Sequence, residues 1–236
     1  MTTANSTIAS CVGAVRQRIA EACARAHRKP EGVRLIAVTK NRSPQDCMEL
    51  SACGLHIYGE NRVDHLQQMA AQAPNGSHFH YLGRVQRRQF PDIVSHCTTL
   101  HSLAKSEHLA PLAKALRRQE QRMQAFIQVN PGIDPLKAGI SPGDLAAMLE
   151  AAVAFDDCLQ IIGLMTMAPD SHLPEYCDDD VRRCFASLRQ LADQHQLPRV
   201  SMGMSGDFEI AIEEGATDLR IGSALFPSES EHAAAQ

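Results

Sequence analysis

The sequence reads as an α/β protein built as a single (β/α)8 barrel of the TIM type, with one extra helix ahead of the first strand. Three observations lead there. Apolar strand-like runs alternate with helical patterns about eight times from residue 33 onward. The 236 residues fit the usual length of such barrels. Finally, Lys40, Asn61, Gly83, Asn130, Met165, Ser201–Ser205 and Gly222–Ser223 all fall at or just after the C-terminal ends of strands. A doubly wound open sheet shows the same periodicity. In a barrel, however, those strand ends share one mouth, and a phosphate site is commonly built from the loops after strands seven and eight.

The elements follow in order. An N-terminal helix is predicted over roughly 7–28. Strands are predicted at 33–39, 55–58, 77–82, 98–101, 123–129, 159–164, 199–201 and 219–221. Helices are predicted at about 43–53, 61–73, 84–95, 103–120, 141–155, 174–195 and 206–214. Ser43-Pro44-Gln45-Asp46 and Ser141-Pro142-Gly143-Asp144 each supply a capping serine, proline at the first helical position and an acid in the first turn. Gly54 and Gly215 fall where helices should stop. No Pro/Gly/Ser-rich linker divides the chain. One domain over 1–236 is therefore expected, with its core at about 8–226 and a frayed tail at 227–236.

Composition narrows the function. Hydrophobic residues make up 44% and charged residues 21%, ordinary for a soluble globular domain. The net charge of −4 argues against a nucleic-acid-binding surface. No apolar run is long enough to span a bilayer and no secretory signal opens the chain, so a cytoplasmic location is expected. The eight cysteines contain no C-x-x-C pair and read as small buried hydrophobes rather than metal ligands or disulfides. His78 and His80 have strand spacing, but nothing nearby completes a metal site, and none is expected.

The chemistry concentrates in 201–226. Two Gly/Ser loops, Ser201–Gly206 and Gly222–Ser223, flank one helix and one strand, with Ser205 placed as a helix N-cap. Such loops offer backbone N–H groups and hydroxyls to a phosphate. Upstream, the apolar run Leu35–Thr39 ends in Lys40. Burial there would disfavour the ammonium and free the amine to attack an aldehyde, whereas a lysine snorkelling into solvent is the plain alternative. Phosphate loops together with a strand-end lysine point to pyridoxal 5′-phosphate. Arg220 interrupts a buried strand. It is either ion-paired with Asp218 or Glu214, or donates to the pyridine nitrogen of the cofactor. In the second case the permanently protonated guanidinium leaves that nitrogen unprotonated and the ring a poor electron sink. Asn61 either caps the next helix or directs its amide at the ring oxygen. Arg84, Arg87 and Arg88 read as a solvated helix face, with an anion contact as the alternative.

Val38-Thr39-Lys40, Tyr58-Gly59-Glu60-Asn61, His80-Tyr81-Leu82-Gly83, Gly163-Leu164-Met165-Thr166-Met167, Ser201-Met202-Gly203-Met204-Ser205-Gly206-Asp207 and Arg220-Ile221-Gly222-Ser223-Ala224-Leu225-Phe226 resemble the pyridoxal phosphate homeostasis protein family. That family is in turn similar to the N-terminal barrel of alanine racemase. The likeness spans roughly 8–226. It implies pyridoxal phosphate on Lys40, phosphate ligands at Ser201, Ser205, Gly222 and Ser223, Arg220 at the pyridine nitrogen and Asn61 beside the ring. Two departures stand out. The family's Gly-Pro-Leu-Gln-x-Asn-Lys is here Gly83-Arg84-Val85-Gln86-Arg87-Arg88-Gln89, and its Phe-Gly is Phe226-Pro227. Neither touches the lysine or the phosphate loops.

The resemblance implies a monomer that holds the cofactor in reserve and hands it to the apo forms of enzymes that use it, with no catalytic residues of its own. The rival is an amino-acid racemase, which needs an acid/base group on each face of the substrate carbon. Lys40 serves one face. Tyr58, Tyr81 and Tyr176 are the only tyrosines, none has an evident claim on the other face, and 236 residues leave no room for a second domain to supply one. A phosphosugar isomerase or aldolase would share the loops and the lysine, but would also want carboxylates at several strand ends.

Overall fold

The computed structural model describes residues 7–132, 136–170 and 173–227. The predicted tail from 228 onward lies outside the described residues. Strands β1 (Arg34–Val38), β2 (Ile57–Glu60), β3 (His78–Tyr81), β4 (Cys97–Leu103), β5 (Met123–Gln128), β6 (Leu159–Met165), β7 (Arg199–Ser201) and β8 (Asp218–Ile221) form a closed barrel in chain order. All pairings are parallel, and closure runs from Arg34↔Asp218 to Ala37↔Ile221 between β1 and β8. Each strand is buried on both sides, which is why the strands read as nearly continuous apolar runs.

Helix α1 (Ile8–Arg25) precedes the barrel. Its Ile8, Val12, Val15, Ile19 and Ala22 are buried at helical spacing, and it packs along α2 (Pro44–Ala52) and α8 (Phe208–Glu213). Thr7 and Ser43 cap α1 and α2 in reciprocal boxes with Ser10 and Asp46, and Pro44 opens α2 as the sequence predicts. The outer ring continues with α3 (Val63–Ala70), α4 (Phe90–His96), α5 (Leu109–Arg118), α6 (Leu145–Val153) and α7 (Asp178–Gln194). The large hydrophobic core lies between strands and helices, and Phe126, Ile162 and Met165 form a separate small cluster. Among the described residues no helix is long and apolar enough to cross a membrane, the cysteines are free, and no metal-binding cluster occurs.

Several boundaries differ from expectation, and contacts with distant parts of the chain accompany some of them. Strand β4 extends to Leu103 and α5 starts only at Leu109, and within the extended end of β4 Ser102 donates its hydroxyl to the Gly83 carbonyl at 2.5 Å. The helix expected from 84 becomes α-helical only at Phe90, after a 3-10 turn over Arg87–Gln89, and Gly83 lies against the Asn61 backbone. A Cβ at Gly83 would stand 2.1 Å from the Asn61 carbonyl oxygen. Helix α3 starts at Val63 after Arg62, so Asn61 does not cap it. Likewise α8 is preceded by Asp207, not by Ser205, whose hydroxyl is engaged elsewhere.

Candidate functional site at the mouth of the barrel

Strand β1 delivers Thr39 and Lys40 to the mouth. Thr39 is buried and donates its hydroxyl to the buried carboxylate of Glu60 at the end of β2. The second Glu60 oxygen meets His65 Nδ1 at 2.8 Å, and His65 Nε2 meets the Arg42 carbonyl at 3.0 Å. One side chain therefore ties β2 and α3 to the turn that carries Lys40. Lys40 itself is exposed, two residues beyond the strand, so the burial expected to favour its free amine is absent. No hydrogen bond or ion pair within the described residues occupies it, and it lines a cleft with Asn61 and His65. Asn61 is exposed beside it, lines the same cleft and accepts from the Tyr81 hydroxyl through its backbone carbonyl at 3.3 Å.

The loop after β7 turns at Gly203, with φ of +91°, where a Cβ would lie 2.6 Å from that of Ala211. The turn brings Ser205 to the start of the loop after β8. Ser205 Oγ accepts from the amides of Gly222 and Ala224, both at 3.3 Å. Two backbone donors thus converge on one oxygen. Ser223 is exposed next to them and Ser205 is half-buried. Convergent N–H groups and hydroxyls of this kind can receive an anion.

Ser201, expected among the phosphate ligands, is wholly buried. Its hydroxyl accepts from Arg220 Nη1 at 2.7 Å and lies 2.9 Å from His101 Nδ1, so its hydrogen-bonding capacity is used inside the protein. Arg220 is 5% exposed and also donates to the Thr166 carbonyl at 2.9 Å. The ion pairs open to it in the sequence do not form. Asp218 is taken by Arg199 and Glu214 by Arg182. Arg220 is a buried cation with no carboxylate within ion-pairing distance among the described residues. Burial pulls its pKa down to about 10, still far above neutrality, with Asp207 and Asp218 opposing at longer range.

His101 and Thr166 were not legible as site residues. Thr166 contributes only a carbonyl. His101 does carry a signal, a polar residue in the run Leu100-His101-Ser102-Leu103, and it stacks on Phe126 at 4.4 Å between centroids while meeting His80 at 2.9 Å. Tyr58 and Tyr81 are both buried. Tyr58 donates to the Cys47 and Leu55 carbonyls, and burial pushes both phenols up to about 12.

The donor set fits pyridoxal phosphate. It offers an accessible amine for an aldehyde, convergent N–H and O–H donors for a phosphate, and an uncompensated buried cation for a ring nitrogen. The comparisons agree. Residues 11–229 match the family model for the alanine racemase N-terminal domain. The pyridoxal phosphate homeostasis protein of Aquifex aeolicus is 36% identical over 219 residues, covering 90% of this chain and 94% of that protein. The chain belongs to the pyridoxal phosphate homeostasis protein family. The structure of PipY from Synechococcus elongatus PCC7942 with PLP bound is 30% identical, with a TM-score of 0.79 over 93% of this chain and 100% of that one. Alanine racemase from Clostridium difficile 630 is 10% identical with a TM-score of 0.69, covering 90% of this chain and 56% of the racemase, and shares the fold.

Proposed function

We propose that this chain is a pyridoxal 5′-phosphate reservoir. Its single barrel domain carries the cofactor on Lys40, with Ser205, Gly222 and Ser223 on the phosphate, Asn61 beside the ring and Arg220 at the ring nitrogen. The observation that carries the reading is Arg220. A buried guanidinium with no carboxylate partner is costly unless an acceptor arrives, and a ring nitrogen is such an acceptor. When bound, the cofactor supplies an aldehyde that links reversibly to an amine. A guanidinium facing the ring nitrogen withholds the proton that would make the ring a strong electron sink. Tyr58 and Tyr81 are held in place and kept protonated, so neither serves as a second acid/base opposite Lys40. Storage and delivery, rather than racemisation, suit these residues. Delivery would be from a monomer in the cytoplasm to apo forms of enzymes that use the cofactor.

The test is reductive trapping. Protein incubated with pyridoxal phosphate and borohydride should show one adduct, on Lys40, in peptide mass mapping, and Lys40→Ala should show none. A reduced adduct on Lys105 or Lys137 instead would overturn the assignment.

A further inference from the structure

Below Arg220 the barrel holds a run of polar side chains that the proposed function does not use. Arg220 Nη1, Ser201 Oγ, the ring of His101 and the ring of His80 stand in line, at successive separations of 2.7, 2.9 and 2.9 Å. His80 is 2% exposed; Ser201 and His101 are completely buried. Hydrogen-bond bookkeeping fixes the direction of the line. A guanidinium only donates, so Ser201 Oγ accepts from Arg220. The buried Ser201 hydroxyl needs an acceptor for its own proton, and among the described residues His101 Nδ1 is the one in reach. His101 therefore carries its proton on Nε2 and donates it to His80 Nδ1, which leaves the His80 proton on Nε2. Every dipole turns its negative end toward the guanidinium.

We propose that Ser201, His101 and His80 are positioning residues for Arg220, a one-way hydrogen-bond chain standing in for a carboxylate counter-ion. A carboxylate would fix Arg220 and cancel its charge. This chain fixes Nη1 and leaves the full charge facing the mouth. Ser201 thereby acts through Arg220 and not on a phosphate. Both imidazoles stay neutral because burial lowers His80 to about 3 and holds His101 well below the ordinary histidine value, and because Arg34, Arg199 and, for His101, Arg220 repel a second positive charge; His78 adds to the effect on His80. The nearest acids near Arg220, Asp207 and Asp218, bond to the Met204 amide and to Arg199.

The inference rests on Arg220 meeting the ring nitrogen, and two measurements separate it from that reading. In ligand-free protein labelled with 15N-histidine, long-range 1H–15N spectra should show His80 and His101 neutral and protonated on Nε2 from pH 5 to 8. A proton on His101 Nδ1, or titration of either ring in that range, overturns the chain. The second measurement compares pyridoxal phosphate with its analogue carrying CH in place of the ring nitrogen. His101→Phe keeps a ring against Phe126 and removes the acceptor. It should weaken pyridoxal phosphate about tenfold and leave the analogue unchanged. Equal losses for both ligands would make the role merely structural and overturn the proposal. If His101→Phe does not fold, Ser201→Ala serves the same comparison. Failure of wild-type protein to bind either ligand would sink the storage reading, while the tautomer measurement still decides the chain.

Discussion

Asp218 and Arg220 share the inward face of β8, one residue apart, and do not pair. The Asp218 carboxylate is held by Arg199 at 2.9 Å and by Arg34 at 3.6 Å, at the end of the barrel away from the mouth. Arg220, one pleat nearer the mouth, has a hydroxyl and a carbonyl as its acceptors. Opposite charges on one strand are thus kept separate, and the positive one has no carboxylate partner among the described residues.

Arg220→Met follows directly from this separation. The substitution removes a buried charge without a counter-ion and replaces it with a flexible apolar side chain, so the melting temperature should hold or rise. Affinity for pyridoxal phosphate should fall by about one to two decades, the weight of a charge-assisted hydrogen bond of about 1.5–3 kcal/mol. Thermal unfolding and absorbance titration read the two effects separately. A large loss of stability would mean that Arg220 is a structural residue.

Ser205→Ala removes the oxygen on which the Gly222 and Ala224 amides converge, together with one hydroxyl donor. Phosphate-dependent affinity should drop by about one decade. Pyridoxal without its phosphate should be unaffected by the same substitution. If wild-type protein bound both forms equally, the cradle would not be a phosphate site.

Strand and helix alternation was legible because parallel strands buried on both faces leave unbroken apolar runs, and because serine caps and Pro44 announce helix starts locally. Several of the misplaced boundaries lie beside contacts that no local pattern carries. Ser102, Gly83 and Ser205 are each engaged by a backbone group far along the chain. The same holds for the site. Arg220, Ser205 and Gly222 lie within one short stretch and could be read together, whereas His101 meets Ser201 only once the barrel closes. Lys40 was read as buried from the apolar run before it, but Thr39 takes the last buried place and turns Lys40 outward.

Acid stability should report the two inner histidines. Each is neutral in the native protein and takes up a proton near pH 6.5 when unfolded. Burial lowers His80 to about 3 and holds His101 well below the ordinary histidine value. The unfolded chain therefore binds more protons below about 6.5, and stability present above that pH is lost as the pH falls. His80 alone amounts to about 2 kcal/mol between pH 7 and 5, and His101 adds to it in the same direction. Urea unfolding at pH 7, 6 and 5 should show this decline, and His101→Phe should make it shallower. A flat profile would contradict neutral buried rings.

Turnover should be negligible. Holo-protein incubated with individual L-amino acids in deuterated water and followed by NMR should form no D-enantiomer. Rapid α-deuterium exchange with inversion would favour the racemase. Exchange with retention would point to proton abstraction by Lys40 alone and leave the storage reading standing.

The contacts of Asp218 also bear on when the site comes into being. Its carboxylate joins Arg34, at the start of the first strand, to Arg199 in the seventh, so it fastens the seam where the ring of strands closes. Pairing between β7 and β8 is slight there, with Ser201↔Asp218 as its register. The partners of that seam are separated by nearly the whole chain, which makes it a late and entropically demanding contact in folding. Lys40, Ser205, Gly222 and Arg220 all sit on strands or loops that meet across it. If the proposed residues hold the ligand, a nascent chain lacking its last strand would have no Arg220 or Gly222 to offer, and occupancy would certify a finished barrel. A ligand bridging β1, β7 and β8 would in turn brace the least paired part of the ring against opening.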